Sequence, residues 1–227
     1  MSHFTMLALV DLPQELIIPA GDGDLLATLT VPARAHGIVL MAHPVWFNDH
    51  RPLTRALQAC GLATLRVDLA GLTRGARALE PALGAERLLA VAEWVRCEPS
   101  LKGLPLVYFG IADCAAAALT AAASVPDLVQ AVVAYGDRDA ALAPLLTWLR
   151  VPALVLPTDV PPARQPAWRQ ALLHRIVAVT PAGGRVHDPV ALGQVSRHAD
   201  EWLSTYVPRT VTRRASATGP QRAATAH

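Results

Sequence analysis

The sequence contains few cysteines, and the three that it has are far apart. They are Cys60, Cys97 and Cys114. An odd number of widely spaced thiols matches neither a disulfide framework nor the ligand spacing of a zinc site. We therefore predict a protein of a reducing compartment, the cytoplasm, with no metal site and no cofactor.

A strong excess of charge of either sign is also missing. The 227 residues include 20 Lys and Arg against 18 Asp and Glu, which gives a formal net charge of +2. So small an excess argues against a nucleic-acid surface and against a strongly acidic partner. The first ten residues, MSHFTMLALV, lack the basic start of a signal peptide and the length of a membrane span. We expect neither nucleic acid nor a membrane as a partner.

Internal repeats are absent as well, and the length fits one α/β domain. We assign residues 1–12 to an N-terminal extension and residues 13–207 to a single domain. Residues 208–227 contain four arginines, no acidic residue and almost no large apolar residue. That composition is typical of a disordered basic tail.

What the sequence does contain is a regular alternation of strand and helix patterns. Residues 13–31 indicate an antiparallel hairpin whose turn is Gly21–Gly23. Further strands are predicted at residues 37–42, 62–67, 106–110, 129–135, 152–156 and 175–180. Helices are predicted at residues 51–60, 81–97, 140–149, 167–174 and 190–206. This order predicts an α/β fold with a mostly parallel central sheet, helices on both faces and an N-terminal antiparallel hairpin.

The central feature of the chain is the stretch 104–119, LPLVYFGIADCAAAAL. Its apolar, β-forming residues reach Gly110, and an alanine-rich segment follows after a very short connection. Such a sequence predicts a buried strand that turns sharply into a helix. Small residues at the turn would let the strand and the helix approach each other closely.

Six blocks of the chain resemble one known family. They are GIVLMAHP at 37–44, GLATLRVDL at 61–69, VYFGIADCAAAAL at 107–119, AYGDRDAAL at 134–142, VPALVL at 151–156 and VTPAGGRVHDPVAL at 179–192. In this order, and over residues 14–207, the chain is similar to the α/β-hydrolase fold. It resembles the dienelactone-hydrolase-like branch, which includes hydrolase domains found beside phosphoribosyltransferase domains. The resemblance implies a triad of nucleophile, histidine and acid that acts on an ester or other acyl substrate.

The sequence departs from this family at the positions that carry the chemistry. Aligning the family's G-x-S-x-G turn on Gly110–Cys114 places Ala112 at the nucleophile, and a methyl group cannot attack a carbonyl carbon. The family's catalytic histidine aligns with Gly184, whereas its acid could survive as Asp159. The resemblance therefore implies a degenerate member, a pseudoenzyme that binds a small molecule or a partner and lacks serine-hydrolase activity.

Either of the two residues that follow Ala112 could act as the nucleophile instead. A shift of register would place Asp113 or Cys114 at the turn, with His187 as the base, and this alternative keeps an active hydrolase. An Asp113 nucleophile, however, would put the bulky Ile111 at the small position of the turn. Asp113 is explained more simply as the N-cap of the helix, and Cys114 as a small core residue. A further alternative is that Ala112 is a catalytic knockout of an otherwise working enzyme.

A ligand pocket is expected at the carboxyl edge of the sheet, where ligands bind in this architecture. Its predicted lining comprises His43, Val45, Trp46, Phe47, Ile111, Ala112 and Asp113. A small apolar ligand or a protein partner could occupy it, and residues 69–80 are candidates for a lid. His43, Asp49 and His50 lack a further ligand at zinc spacing, so no metal is expected there. The sequence leaves the oligomeric state open.

Overall fold

The computed structural model of the chain describes residues 12–21, 23–44, 51–70, 79–136, 146–156, 176–178 and 189–207. Within these ranges the strands are β1 Gln14–Pro19, β2 Asp24–Thr30, β3 Gly37–His43, β4 Leu62–Asp68, β5 Leu106–Ile111, β6 Ala131–Tyr135, β7 Ala153–Leu156 and β8 Ile176–Ala178. The longer helices are α1 Arg51–Ala59, α2 Pro81–Cys97, α3 Cys114–Ser124 and α4 Pro189–Tyr206. A 3₁₀ turn, Pro126–Leu128, follows α3.

The strands form one sheet in the order β1-β2-β4-β3-β5-β6-β7-β8. The pairs β1–β2 and β2–β4 are antiparallel, and the remaining neighbours are parallel. Every residue of β5 and of β6 is buried, as expected for parallel strands that are covered on both faces. The prediction of a mostly parallel sheet with an N-terminal antiparallel hairpin is confirmed.

The helices divide the core into two apolar layers, one on each face of the sheet. Tyr108 belongs to the layer under α2 and α3, whereas its neighbour Phe109 belongs to the layer under α1 and α4. Successive side chains of a strand point to opposite faces, so β5 supplies both layers. A Cβ atom at Gly84 of α2 would lie 2.7 Å from the Cβ of Ala117 in α3, and glycine therefore lets these two helices pack closely.

Most of the predicted elements are present within one or two residues of their expected bounds. The strand that is expected at 129–135 begins at Ala131, after the 3₁₀ turn Pro126–Leu128. The strand before the sharp turn continues one residue past Gly110. Five predicted segments lie wholly or largely outside the described residues: the extension 1–12, the lid candidate 69–80, the helices 140–149 and 167–174, and the tail 208–227. None of the described helices is long and apolar enough to cross a membrane.

Candidate functional site

The turn between β5 and α3 has an unusual backbone at its apex. β5 ends at Ile111 and α3 begins at Cys114, so Ala112 and Asp113 alone make the connection. Ala112 has a φ of +52°, and among the described residues it is the only non-glycine with a positive φ. A residue with a Cβ atom pays about 1–2 kcal/mol for this left-handed conformation. The turn is therefore a strained strand-to-helix elbow, with Ala112 at its apex.

Two hydrogen bonds hold the strained apex in place. Ala112 N–H donates to the Tyr135 carbonyl at 2.7 Å, which ties the turn to the end of β6. Ala115 N–H donates to the Ala112 carbonyl at 2.9 Å, which starts the helix. Because the apex is bonded to a neighbouring strand and to its own helix, the rest of the fold imposes its conformation.

Glycine is required at position 110 by the close approach of strand and helix. A Cβ atom built there would lie 2.5 Å from the Cys114 carbonyl oxygen and 2.7 Å from the Ala115 Cα. Both are backbone atoms, and real Cβ atoms essentially never approach so closely. Gly110 thus occupies the small position of the elbow, two residues before the apex, as in the G-x-S-x-G pattern.

The residues of the elbow point into different environments. Ala112 is 5% exposed and packs in the layer under α1 and α4, whereas Cys114 is 2% exposed and packs in the layer under α2 and α3. Cys114 is therefore a core residue and does not share a site with Ala112. The structure brings Ile111 and Ala112 together on one face, because both belong to the first of these layers.

Asp113 occupies the N-cap position of α3, but its side chain does not cap the helix. Its backbone is in the right-handed helical region, at φ −60° and ψ −19°, and it makes no side-chain capping hydrogen bond. An N-cap side chain normally reaches a backbone N–H of the first turn from an extended backbone. The expectation that Asp113 serves as a capping residue is wrong in this respect, because its backbone is already helical and its side chain makes no capping bond. Its side chain is exposed at the elbow.

His43 lies at the carboxyl edge of the sheet, next to the elbow. It ends β3 and is paired in register with Asp68 of β4, while the preceding residue of β3, Ala42, is paired with Gly110. Its imidazole is half-buried, and Nδ1 forms a 3.2 Å hydrogen bond with the Pro44 carbonyl. A carbonyl can only accept, so this bond requires the proton on Nδ1. His43, Ile111 and Ala112 therefore lie at the same edge of the sheet.

Two charged residues near this edge, Asp68 and Arg87, were not identified from the sequence. Burial raises the pKa of Asp68, while a 2.9 Å hydrogen bond from Ala70 N–H and the nearby Arg87 partly oppose that rise. Arg87 is 7% exposed, and its guanidinium donates to the Leu69 carbonyl. Arginine is rarely buried unless it is paired. Its position on the core-facing side of α2 was the signal that could have revealed it.

Several predicted site residues lie outside the described part of the chain. They are Val45, Trp46, Phe47, Asp159, Gly184 and His187. A groove of about 680 Å³ lies at the opposite, amino edge of the sheet, where it is lined by residues such as Leu104, Leu106 and Gln130 and by none of the predicted pocket residues. Among the described residues, no cluster of three or more His, Cys, Asp or Glu side chains could hold a metal ion.

Known structures and sequences resemble this arrangement to different degrees. A dienelactone hydrolase from Anabaena variabilis is 31% identical, with a TM-score of 0.72, and the match covers 86% of this chain and 99% of that one. Est1E from Butyrivibrio proteoclasticus is 15% identical, with a TM-score of 0.69, over 85% and 98% of the two chains. An α/β serine hydrolase homologue from Coxiella burnetii is 19% identical, with a TM-score of 0.68, over 84% and 97%. At these two lower identities the likeness concerns the fold alone.

Two Mycobacterium tuberculosis proteins that carry a provisional phosphoribosyl transferase name are each 32% identical over 204 residues. These matches cover 84% of this chain but 46% of the relatives, so the chain spans about half their length. No family model matches the chain.

Together, the sheet order, the helices on both faces and the strained elbow define a protein of the α/β-hydrolase fold. Its likeness to the Anabaena enzyme extends over nearly all of that enzyme's length. The chain belongs to the dienelactone-hydrolase-like family.

Proposed function

We propose that this family member is a pseudoenzyme, which keeps the hydrolase fold but binds a small apolar molecule or a partner protein without serine-hydrolase chemistry. The observation that carries the proposal is the alanine at the apex of the elbow. Ala112 has the strained, left-handed backbone at the position where the family carries its nucleophile. Its methyl group has no lone pair with which to attack a carbonyl carbon.

The position that aligns with the family's catalytic histidine also supports the pseudoenzyme proposal. Gly184 stands there in the sequence, so the general base would be missing together with the nucleophile. Removing one member of such a triad costs about 10⁴-fold or more in turnover, and the members act as a unit. A site that lacks two of them would retain only the rate acceleration that substrate binding and backbone hydrogen bonds provide.

One such hydrogen-bond donor is available at the elbow. In this fold, the backbone N–H of the residue after the nucleophile contributes to the oxyanion hole. Here that residue is Asp113, and its N–H makes no hydrogen bond to another described residue. A ligand carbonyl could accept from it, so the elbow could orient a ligand that it does not cleave. Binding by this donor is part of the proposal.

The alternative is an active hydrolase that uses Cys114 or Asp113 with His187. The burial of Cys114 in the layer under α2 and α3 argues against it, because a catalytic thiol needs access to substrate. Asp113 is exposed, but it lies one residue past the strained apex. A shift that put Asp113 at the nucleophile would also move the small position from Gly110 to Ile111.

The transferase name of the mycobacterial relatives is not carried over to this chain. The match spans under half of each relative, and the described part of this chain is explained by a hydrolase fold. We propose the binding function for this chain alone, which matches about half of each relative.

The decisive experiment measures turnover of chromogenic short-chain acyl esters by four proteins. They are the wild type, Ala112→Ser, the double variant Ala112→Ser with Gly184→His, and Ala116→Ser, which adds a hydroxyl elsewhere in the same region. The proposal expects background rates for the wild type, for Ala116→Ser and for Ala112→Ser alone, because a serine without its base is inert. Wild-type turnover that a serine-directed phosphonate abolishes would contradict it. Full rescue by Ala112→Ser alone would favour the catalytic knockout instead.

A second measurement separates the thiol alternative from the proposal. Maleimide labelling of the native protein should modify the exposed Cys97 quickly and Cys114 only after denaturation. Rapid native labelling of Cys114, together with an ester hydrolysis that is lost in Cys114→Ala and in His187→Ala, would support the active enzyme.

A further inference from the structure

Four polar side chains from three parts of the chain line one small cavity. They are His36, which precedes β3, Cys60, which follows α1, and Asp200 and Ser204, which lie one turn apart in α4. The cavity has a volume of about 10 Å³, which admits about one water molecule. It lies at the amino edge of the sheet, where β3 and β4 begin, and is therefore separate from the elbow at the carboxyl edge.

The backbone holds the His36 ring against the residue next to Cys60. His36 N–H donates to the Gly61 carbonyl at 3.0 Å, and Cys60 N–H donates to the Ala56 carbonyl at 3.2 Å, which closes the last turn of α1. A Cβ atom at Gly61 would lie 3.0 Å from His36 Nδ1, and Gly61 has a φ of +83°. Glycine is therefore favoured here both by the left-handed backbone and by the approach of the imidazole.

The three cysteines of the chain have different environments. Cys114 is buried, Cys97 is exposed and Cys60 is half-buried. Cys97 and Cys60 both lie at the C-terminal end of a helix, where the helix dipole opposes a thiolate. Their side-chain neighbours differ, because Cys97 Sγ lies 4.0 Å from Glu93 Oε1, whereas Cys60 shares its cavity with an imidazole. Cys60 thus combines access to solvent with a neighbouring base.

We propose that Cys60 is a modification site, a reactive thiol that exchanges with small disulfides and has His36 as its base. The imidazole takes the thiol proton, and the thiolate attacks one sulfur of the disulfide. A bond forms between Cys60 Sγ and that sulfur, the original S–S bond breaks, and the departing thiolate takes the proton back from the imidazolium. Cys60 is thereby oxidised to a mixed disulfide, while the departing half is reduced to a free thiol.

The two polar residues of α4 support this chemistry. Asp200 supplies a carboxylate to the cavity, and a carboxylate near an imidazole favours the protonated ring. An imidazolium in turn favours a thiolate beside it. Thiol, imidazole and acid are the groups that activate the nucleophile in cysteine triads. Ser204 is exposed, so a disulfide can approach the cavity from its side.

Disulfide-exchange rates of single thiols at pH 7 test the proposal, with dipyridyl disulfide as an uncharged probe. Cys97→Ser reports on Cys60, and Cys60→Ser reports on Cys97, because the buried Cys114 reacts slowly in both. We expect Cys60 to react about threefold faster than Cys97 or more, although it is less exposed. A larger thiolate fraction outweighs the lower nucleophilicity of each thiolate.

A pair of histidine variants in the Cys97→Ser background separates the role of His36 from mere exposure. His36→Gln should remove the advantage of Cys60, because the base is lost. His198→Gln is the matched control, since His198 is a half-buried histidine of α4 outside the cavity lining, and it should leave the rate unchanged.

Comparison with the unfolded chain keeps the test informative if His36→Gln folds poorly. A thiol that is merely exposed reacts no faster in the native protein than in urea, where it has lost its neighbours. Cys60 of Cys97→Ser should react faster in the native state, once both rates are corrected for urea with a model thiol, and glutathione disulfide should add one adduct to Cys60. A native Cys60 that reacts more slowly than in urea or than Cys97 would overturn the proposal, as would a rate that a folded His36→Gln leaves unchanged.

Discussion

The backbone N–H of Ala112 donates a 2.7 Å hydrogen bond to the carbonyl of Tyr135, one strand away in the sheet. This bond joins the apex of the elbow to the end of β6, so the strained residue is held by a strand that follows it by more than twenty positions in the chain. Backbone groups hold the geometry of the elbow, and the alanine side chain at the apex contributes no polar contact.

Replacing Ala112 by glycine should cost much less stability than the same change within α3. Glycine adopts a positive φ without strain, and this relief offsets the lost methyl group and the greater freedom of the unfolded chain. Ala116 is the control, because it is similarly buried, at 4% against 5%, but lies in regular helix. We expect the free energy of unfolding of Ala112→Gly to exceed that of Ala116→Gly by about 1–2 kcal/mol in urea titrations. Equal losses of unfolding free energy in Ala112→Gly and Ala116→Gly would show that the backbone of Ala112 is not strained.

Adding one methyl group at Gly110 should destabilise the protein strongly. The new Cβ would meet backbone atoms of α3, which cannot rotate away, so strand and helix must separate. We expect a loss of about 3 kcal/mol by chemical denaturation. Gly193→Ala in α4 is the control, since a Cβ there meets nothing within 4 Å, and it should gain about 1 kcal/mol from helix propensity. A mild effect of Gly110→Ala would mean that α3 packs less closely than the structure shows.

The hydroxyl of Tyr108 should be dispensable. It is fully buried on β5 and has no hydrogen-bond partner among the described residues, so it loses its hydration without compensation. We expect Tyr108→Phe to raise the free energy of unfolding by about 1 kcal/mol. Tyr206→Phe, at a half-buried ring, should change it little. A clear loss of stability in Tyr108→Phe would indicate that the hydroxyl has a partner.

The same tyrosine should make the protein sensitive to alkali. Burial raises the pKa of the Tyr108 phenol well above its usual value of 10.0. A raised pKa in the folded state means that the unfolded state releases the proton first, so stability falls as the pH rises above about 10. Tyr108→Phe should show a shallower fall over that range in thermal melts. Parallel pH profiles for the two proteins would contradict the burial of the phenol.

The half-buried carboxyl of Asp68 should make its own contribution to pH dependence. Burial raises the pKa of Asp68 in the folded state, so its contribution to stability is greatest below the usual value of 3.8 and falls as the pH rises above it. Asp68→Asn keeps an acceptor for Ala70 N–H and should gain in melting temperature, relative to the wild type, between pH 3 and pH 7. Asp68→Ala loses that acceptor and should be less stable than Asp68→Asn at both values. If the melting temperature of Asp68→Asn instead gained on the wild type as the pH falls, the pKa of Asp68 would be lowered in the folded state and not raised.

The sequence alone determined the order and type of the strands and longer helices that the structure describes. The hairpin at residues 13–31 follows from turn residues between two strand patterns, and β3 follows from an uninterrupted apolar run. The elbow could also be located, because Gly110 and the alanines of α3 are small where a strand must meet a helix. These are local signals, since each depends on residues that are close in the chain.

The tertiary structure decided which of these residues share a site. Ala112 and Cys114 are two positions apart in the sequence, yet they pack in layers on opposite faces of the sheet. Asp113 stands at the start of a helix without capping it, because its backbone is helical where a capping residue is normally extended. The buried Arg87 near Asp68 and the cavity that His36 and Cys60 share likewise depend on strand pairing and helix packing. Such relationships arise from contacts between distant segments, which the periodicity of a single segment does not specify.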